Sequence, residues 1–245
     1  MAYRQKIVET PSMTRVYTYA RPVRTGQTKD TTITKRENGQ KLDRNISRTK
    51  EGLALTIQCN VRPYSKFATF TTKENITDRS EFLQQWRTFT RRFRRKFGYT
   101  LKYSAVTETQ ERGAWHIHAV LYNATEKIDL DKLTKCWAGK NAKGGEVDVK
   151  VVDHHKHLFK YLVKYLTKDE LQLNKKAVLN SEKLEQPSIT HSSQPLGIAD
   201  MWGNPDYSKE WALYHGDLKK HQELGSTNEQ LINYCTMQEY IKTTK

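Results

Sequence analysis

Hydrophobic and polar positions divide the chain into stretches of different character. Residues 1–42 are rich in Thr, Arg, Lys and Gln with almost no apolar periodicity, the pattern of a flexible basic arm. Over residues 43–61, Ile46, Leu53, Ala54 and Ile57 fit a helix. Arg62-Pro63 ends it, because the residue before a proline is pushed out of the helical region. Lys66–Thr72 (KFATFTT) alternates, and its aromatic and β-branched content predicts a strand. Thr77 or Asp78 can cap the next helix, with Glu81 in its first turn and Gly98 as its stop. Along that helix Phe82, Trp86, Phe89, Phe93 and Phe97 recur at intervals of 4, 3, 4 and 4, an aromatic stripe that faces a core.

Residues 99–109 and 115–122 read as two strands joined by a hairpin that contains Gly113. Leu130, Leu133 and Trp137 mark a short helix. Val147, Val149 and Val151 mark a strand, and Leu158, Leu162 and Leu166 one side of a helix over 154–168. A short strand is expected at 177–179 and an irregular segment at 185–210. Trp211, Leu213, Tyr214, Leu218, Leu231 and Tyr240 suggest one or two helices towards the end. The order strand, helix, strand, strand, helix, strand, helix implies an α+β fold. Its antiparallel sheet of about five strands would be flanked by helices in a ferredoxin-like split βαβ layout. The expected organisation is an arm over 1–42, a domain over 43–185 and a partly helical extension over 186–245.

Charge changes this picture by pointing to a partner. The 245 residues carry a net +15, and the excess sits at one end. Residues 1–100 hold 22 basic and 8 acidic side chains, and the remainder is almost balanced. A basic half of this kind is the footprint of a polyanion partner. Arg87, Arg91, Arg92, Arg94, Arg95 and Lys96 supply six cations with no acid after Glu81, which suits phosphate contacts. No apolar run is long enough to span a membrane, and the first twenty residues lack the apolar core of a secretion signal. Cys59, Cys136 and Cys235 are far apart and odd in number, which excludes a disulfide framework and fits a reducing cytoplasm.

Candidate chemistry begins in Trp115–Leu121 (WHIHAVL). Side chains alternate across a strand, so His116 and His118 point to one side, about 7 Å apart along it. Ile117, Ala119 and Leu121 point the other way. The hairpin would place Glu108 on the neighbouring strand, across from the histidines, with Glu111 a less well placed rival. One carboxylate and two imidazoles leave open positions for phosphate oxygen and water. Such mixed ligation suits Mn²⁺ or Mg²⁺. In residues 160–168 (KYLVKYLTK), Tyr161 and Tyr165 share one helix face, roughly 6 Å apart at Cβ. Lys168 lies one turn beyond Tyr165 and Lys164 is offset from that face. A free phenol titrates near 10, so a neighbouring cation would be needed to favour the phenolate.

In these motifs the chain resembles the HUH endonucleases, and within them the two-tyrosine rolling-circle replication initiators of small plasmids and single-stranded DNA phages. FATFTT at 67–72 is similar to the family's first motif. WHIHAVL at 115–121 carries its histidine–hydrophobic–histidine motif, and YLVKYLTK at 161–168 matches its Tyr-x-x-Lys-Tyr-x-x-Lys helix. Glu108, eight residues before the first histidine, matches a third-ligand position seen in many members. The resemblance covers roughly residues 43–185. It implies a metal-dependent endonuclease and strand transferase, with His116, His118 and Glu108 holding Mn²⁺ or Mg²⁺. Tyr161 or Tyr165 would attack single-stranded or hairpin origin DNA, leaving a 5′-phosphotyrosine and a free 3′-hydroxyl. Lys164 and Lys168 would contact the scissile phosphate or the phenolate. No Gly-x4-Gly-Lys-Ser/Thr motif is present, so unwinding would call on a host helicase. The competing expectations are a two-tyrosine transposase or relaxase of the same superfamily, and a non-catalytic protein that binds single strands by stacking.

Overall fold

The computed structural model describes residues 2–24, 38–111, 113–124, 128–139, 144–151, 162–165, 178–197, 203–214 and 231–242. In chain order the elements are β1 (Ala2–Glu9), β2 (Met13–Arg24), α1 (Asn38–Asn60), β3 (Lys66–Thr72), α2 (Arg79–Phe97), β4 (Tyr103–Thr109) and β5 (Trp115–Leu121). They continue with α3 (Leu130–Ala138), β6 (Gly144–Val151), β7 (Val178–Asn180), β8 (Ser188–Ser192), β9 (Tyr207–Tyr214) and β10 (Leu231–Ile241). They form two units, one of residues 35–186 and one of residues 1–34 with 187–245.

In the 35–186 unit the strand order is β6-β3-β5-β4-β7, and every neighbouring pair is antiparallel. The path β3-α2-β4-β5-α3-β6 is the ferredoxin-like βαββαβ that the element order predicts, with β7 added at one edge. Register sorts the side chains onto two faces. Phe67, Thr69, Val106, Glu108, His116, His118 and Val120 fall on one face, and Ala68, Phe70, Ala105, Ile117, Ala119 and Leu121 on the other.

Each face has its own cover. Trp86, Phe89 and Phe93 of α2, with Leu133 and Trp137 of α3, pack on Phe70, Ile117 and Ala119. The Phe70 ring lies 5.1 Å from Trp86 and 5.4 Å from Trp137, in edge-on geometry. On the histidine face, Leu53 and Ile57 of α1 and Leu162 pack on Phe67, Val106 and Val120. All seven residues of the central strand β5 are therefore buried.

Local chemistry fixes α2 as expected. The Asp78 carboxylate accepts from the Glu81 N–H at 2.8 Å. Gly98 takes φ +80°, a conformation a side chain would strain, and its N–H donates to the Arg94 carbonyl at 3.0 Å. Phe82, Trp86, Phe89 and Phe93 are buried, with Phe97 packed against them.

The ends of the chain correct two expectations. Residues 1–42 are not simply an arm, because β1 and β2 pair as a hairpin and α1 already begins at Asn38. The segment expected to be partly helical supplies strands β8, β9 and β10 instead. These strands build a second antiparallel sheet, β8-β1-β2-β10-β9, in which Val16 near the start pairs with Gln238 near the end. Its alternation is blurred because burial is shared between the faces: Gln5, Ile7 and Val8 are all buried in β1. Arg15 and Glu239 form an ion pair across β2 and β10 at 2.8 Å. Among the described residues, no helix is long and apolar enough to cross a membrane.

Candidate functional site

The site is built on the α1-covered face of the first sheet. The register makes Glu108 the cross-strand partner of His116 and places His118 two residues further along β5. His118 Nε2 lies 2.8 Å from Glu108 Oε2, and Nδ1 lies 3.2 Å from the Thr69 hydroxyl of β3. A carboxylate only accepts, so in the neutral ring Nε2–H donates to Glu108 and Nδ1 accepts from Thr69.

Burial holds the His118 pKa below its usual 6.5; the Glu108 hydrogen bond and charge oppose that shift, and the Lys164 charge adds to it. The ring is therefore neutral near pH 7, the form that can donate a lone pair to a metal.

Residues 162–165 cross above this ring. The Tyr165 ring stacks flat on His118, with centroids 3.5 Å apart and planes 6° apart. Phe67 extends the stack, its centroid 6.2 Å from His118 and 6.4 Å from Tyr165. Lys164 Nζ stands 4.7 Å from the Tyr165 centroid, a cation–π distance. Leu162 anchors the turn in the core, and the Tyr165 N–H donates to the Leu162 carbonyl.

The structure thus gathers Glu108, His118, Lys164 and Tyr165 and puts His116 on the same face. Tyr161 and Lys168, and most of the helix expected over 154–168, lie outside the described residues. Glu111 is exposed at the hairpin tip. Sequence reasoning missed Thr69 and Phe67 as members of the site. Their alternation in FATFTT placed them on one strand face, but only the pairing of β3 with β5 puts that face beside the histidines.

The donors suit a hard divalent ion in type, one carboxylate and two imidazoles with no thiolate. Two adjacent ligands of an octahedral ion at about 2.1 Å stand about 3.0 Å apart. Glu108 and His118, at 2.8 Å, already have close to that spacing. Among the described residues no three His, Cys, Asp or Glu side chains yet enclose one ion position. The pair is preformed, and His116 is the donor that has to turn in from across the strand pair.

The cations of α2 lie elsewhere. The aromatic stripe of α2 packs on the opposite sheet face, so its basic side points away from the sheet altogether. Arg92 is not aimed at solvent like its neighbours: its Nη1 reaches the Cys136 carbonyl at 3.5 Å, at the C-terminal end of α3. Burial pushes the Cys136 thiol pKa up, with Lys96 and Arg92 opposing it from nearby. A cation at a helix C-terminus offsets the partial negative charge of its free carbonyls. Arg92 is thus a structural contact between helices rather than a phosphate contact.

Residues 65–170 match the family model of the replication-associated protein ORF2. The match runs from the start of β3 through both histidines and the two tyrosines, and it supports a replication-initiator role. No curated protein and no solved structure matches the chain.

Proposed function

We propose that the chain is an HUH-type rolling-circle replication initiator that nicks and rejoins single-stranded origin DNA. The observation that carries the proposal is the flat stack of Tyr165 on His118, itself hydrogen-bonded to Glu108. It brings a candidate nucleophile against the preformed ligand pair, within the stretch similar to replication-associated proteins.

In this reading His116, His118 and Glu108 hold Mn²⁺ or Mg²⁺, which when bound polarises the scissile phosphate and offsets the charge that develops on it. The phenol oxygen of Tyr165 or Tyr161 forms the bond to phosphorus and gives up its proton. The bond to the 3′-oxygen breaks, and that oxygen takes up a proton. A 5′-phosphotyrosine remains, and the free 3′-hydroxyl can prime synthesis or reverse the step. Lys164 supplies positive charge beside Tyr165, with Lys168 in the matching role one turn on. Unwinding falls to a separate helicase of the host.

The test incubates the protein with a labelled single-stranded origin oligonucleotide and Mn²⁺, then resolves products on a denaturing gel. A covalent adduct is expected. Each of Tyr161→Phe and Tyr165→Phe should retain some of it, and the double variant none. An adduct that persists in the double variant, or that forms in EDTA, refutes the assignment.

A further inference from the structure

We propose that the outward face of α2 is a docking surface for the sugar–phosphate backbone of duplex DNA, separate from the histidine–tyrosine site. The proposal rests on the nicking reading only for the duplex's identity, the stem that flanks the nicked single strand.

Arg87, Arg91, Arg94 and Arg95 are exposed on the helix side that faces away from the sheet. Gln84, Thr88 and Thr90 lie between them and line shallow grooves with the arginines. Arg91 is steadied by a hydrogen bond to the Thr88 hydroxyl at 3.1 Å. Among the described residues no carboxylate forms an ion pair with any of these four guanidinium groups.

Topology separates this face from the chemistry. α2 covers the sheet face that carries Ile117 and Ala119, whereas His116 and His118 project from the opposite one. The sheet and a helix diameter of about 10–12 Å stand between the arginines and the site. A strand lying in the site cannot also lie along α2 without leaving the sheet face and rounding an edge, so the two surfaces take different parts of the nucleic acid.

Chemistry then selects duplex over single strand. Proteins that hold single strands combine cations with exposed aromatic rings on which bases stack. Every aromatic residue of α2 is turned to the core: Phe82, Trp86, Phe89 and Phe93 are buried and Phe97 packs on them. What remains outward is guanidinium, hydroxyl and amide, the groups that contact phosphates and position a duplex without reading bases. Arg87 to Arg95 spans about 12 Å of helix at 1.5 Å per residue. B-DNA passes about seven phosphates over that length, at one per 1.7 Å of its axis. Four arginines can therefore each meet a phosphate.

The experiment measures binding of the full chain, by fluorescence anisotropy from 50 to 200 mM NaCl, to two probes. One is a DNA hairpin with a single-stranded tail, and the other is the tail alone. In Arg87→Gln/Arg91→Gln/Arg94→Gln/Arg95→Gln, affinity for the hairpin should fall at least tenfold. Its log–log salt slope should shrink by about 3–4, the loss of four contacts at about 0.9 each. The tail should lose far less. The corresponding four-lysine variant should restore most of the slope, which separates lost charge from lost fold. Unchanged hairpin binding, or an equal loss for both probes, overturns the proposal. The wild-type tyrosyl adduct reads the nicking proposal independently. If no adduct forms while the hairpin alone loses affinity, this surface stands and the nuclease reading fails; the reverse pattern refutes only the surface.

Discussion

Replacing Thr69 by Val probes the least conspicuous member of the site with almost no change of shape. The Thr69 hydroxyl, 3.2 Å from His118 Nδ1, is the contact that orients the ring from the β3 side. Valine leaves that nitrogen facing a methyl group in a buried place, and an unsatisfied buried acceptor costs about 1–3 kcal/mol. A hydroxyl can also donate or accept. It donates to Nδ1 while Nε2–H points at Glu108, and it can accept from Nδ1–H once a metal takes Nε2. Valine can do neither, so both the metal-free and the metal-bound ring lose their partner. Outer partners of ligating histidines are worth about 10–100-fold in metal affinity.

The expected result is a metal-free chain destabilised by about 1–3 kcal/mol in urea. A Mn²⁺ affinity lower by about 10–100-fold in titration calorimetry should accompany it. Thr69→Ser should stay close to wild type on both measures. Stability of Thr69→Val within ~0.5 kcal/mol of wild type, the range of an indifferent surface change, together with unaltered Mn²⁺ binding, would show that the hydroxyl does not orient His118.

Gly139→Ala should destabilise the fold by about 1–3 kcal/mol, because φ +67° with ψ −173° is a backbone region essentially reserved for glycine. The added methyl would also collide with the Arg92 guanidinium, and a urea midpoint equal to wild type would count against that local picture. His118 predicts a dependence on pH. Its folded pKa lies below the unfolded value, so the unfolded chain takes up the proton first as pH falls. Its contribution is complete above about pH 6.5 and is lost as the pH drops below that. Urea midpoints from pH 7.5 to 5.5 should therefore fall more steeply in wild type than in His118→Gln, and parallel curves would contradict the assignment.

The parts of this protein legible in its sequence are those whose cause is local. The α2 stripe, the Asp78 cap and the Gly98 stop each involve residues within a turn of one another, and each lies where periodicity put it. The pairing of Glu108 with His116 was legible because the hairpin is short enough for register to be counted across it. The second sheet was not. β2 and β10 pair across nearly the whole chain, and each strand alone looks polar and weakly patterned. Thr69 was hidden for a related reason: its own strand shows which residues share its face but not which strand lies beside it. Arg92 looked like its neighbours because one helical position decides whether an arginine meets solvent or the end of α3.

The histidines also sit on the one strand that has nowhere to slide. β5 is held by β3 on one side and β4 on the other, and is roofed above and below. A shift of one residue would swing Ile117 and Ala119 under Tyr165 and push both imidazoles into the aromatic layer beneath α2. Such slippage is blocked on both faces at once, so amide hydrogens of β5 should exchange only when the whole 35–186 unit opens. Loss of the ligand geometry and loss of the fold are then one event. Fraying at the strand ends cannot release a half-assembled nuclease.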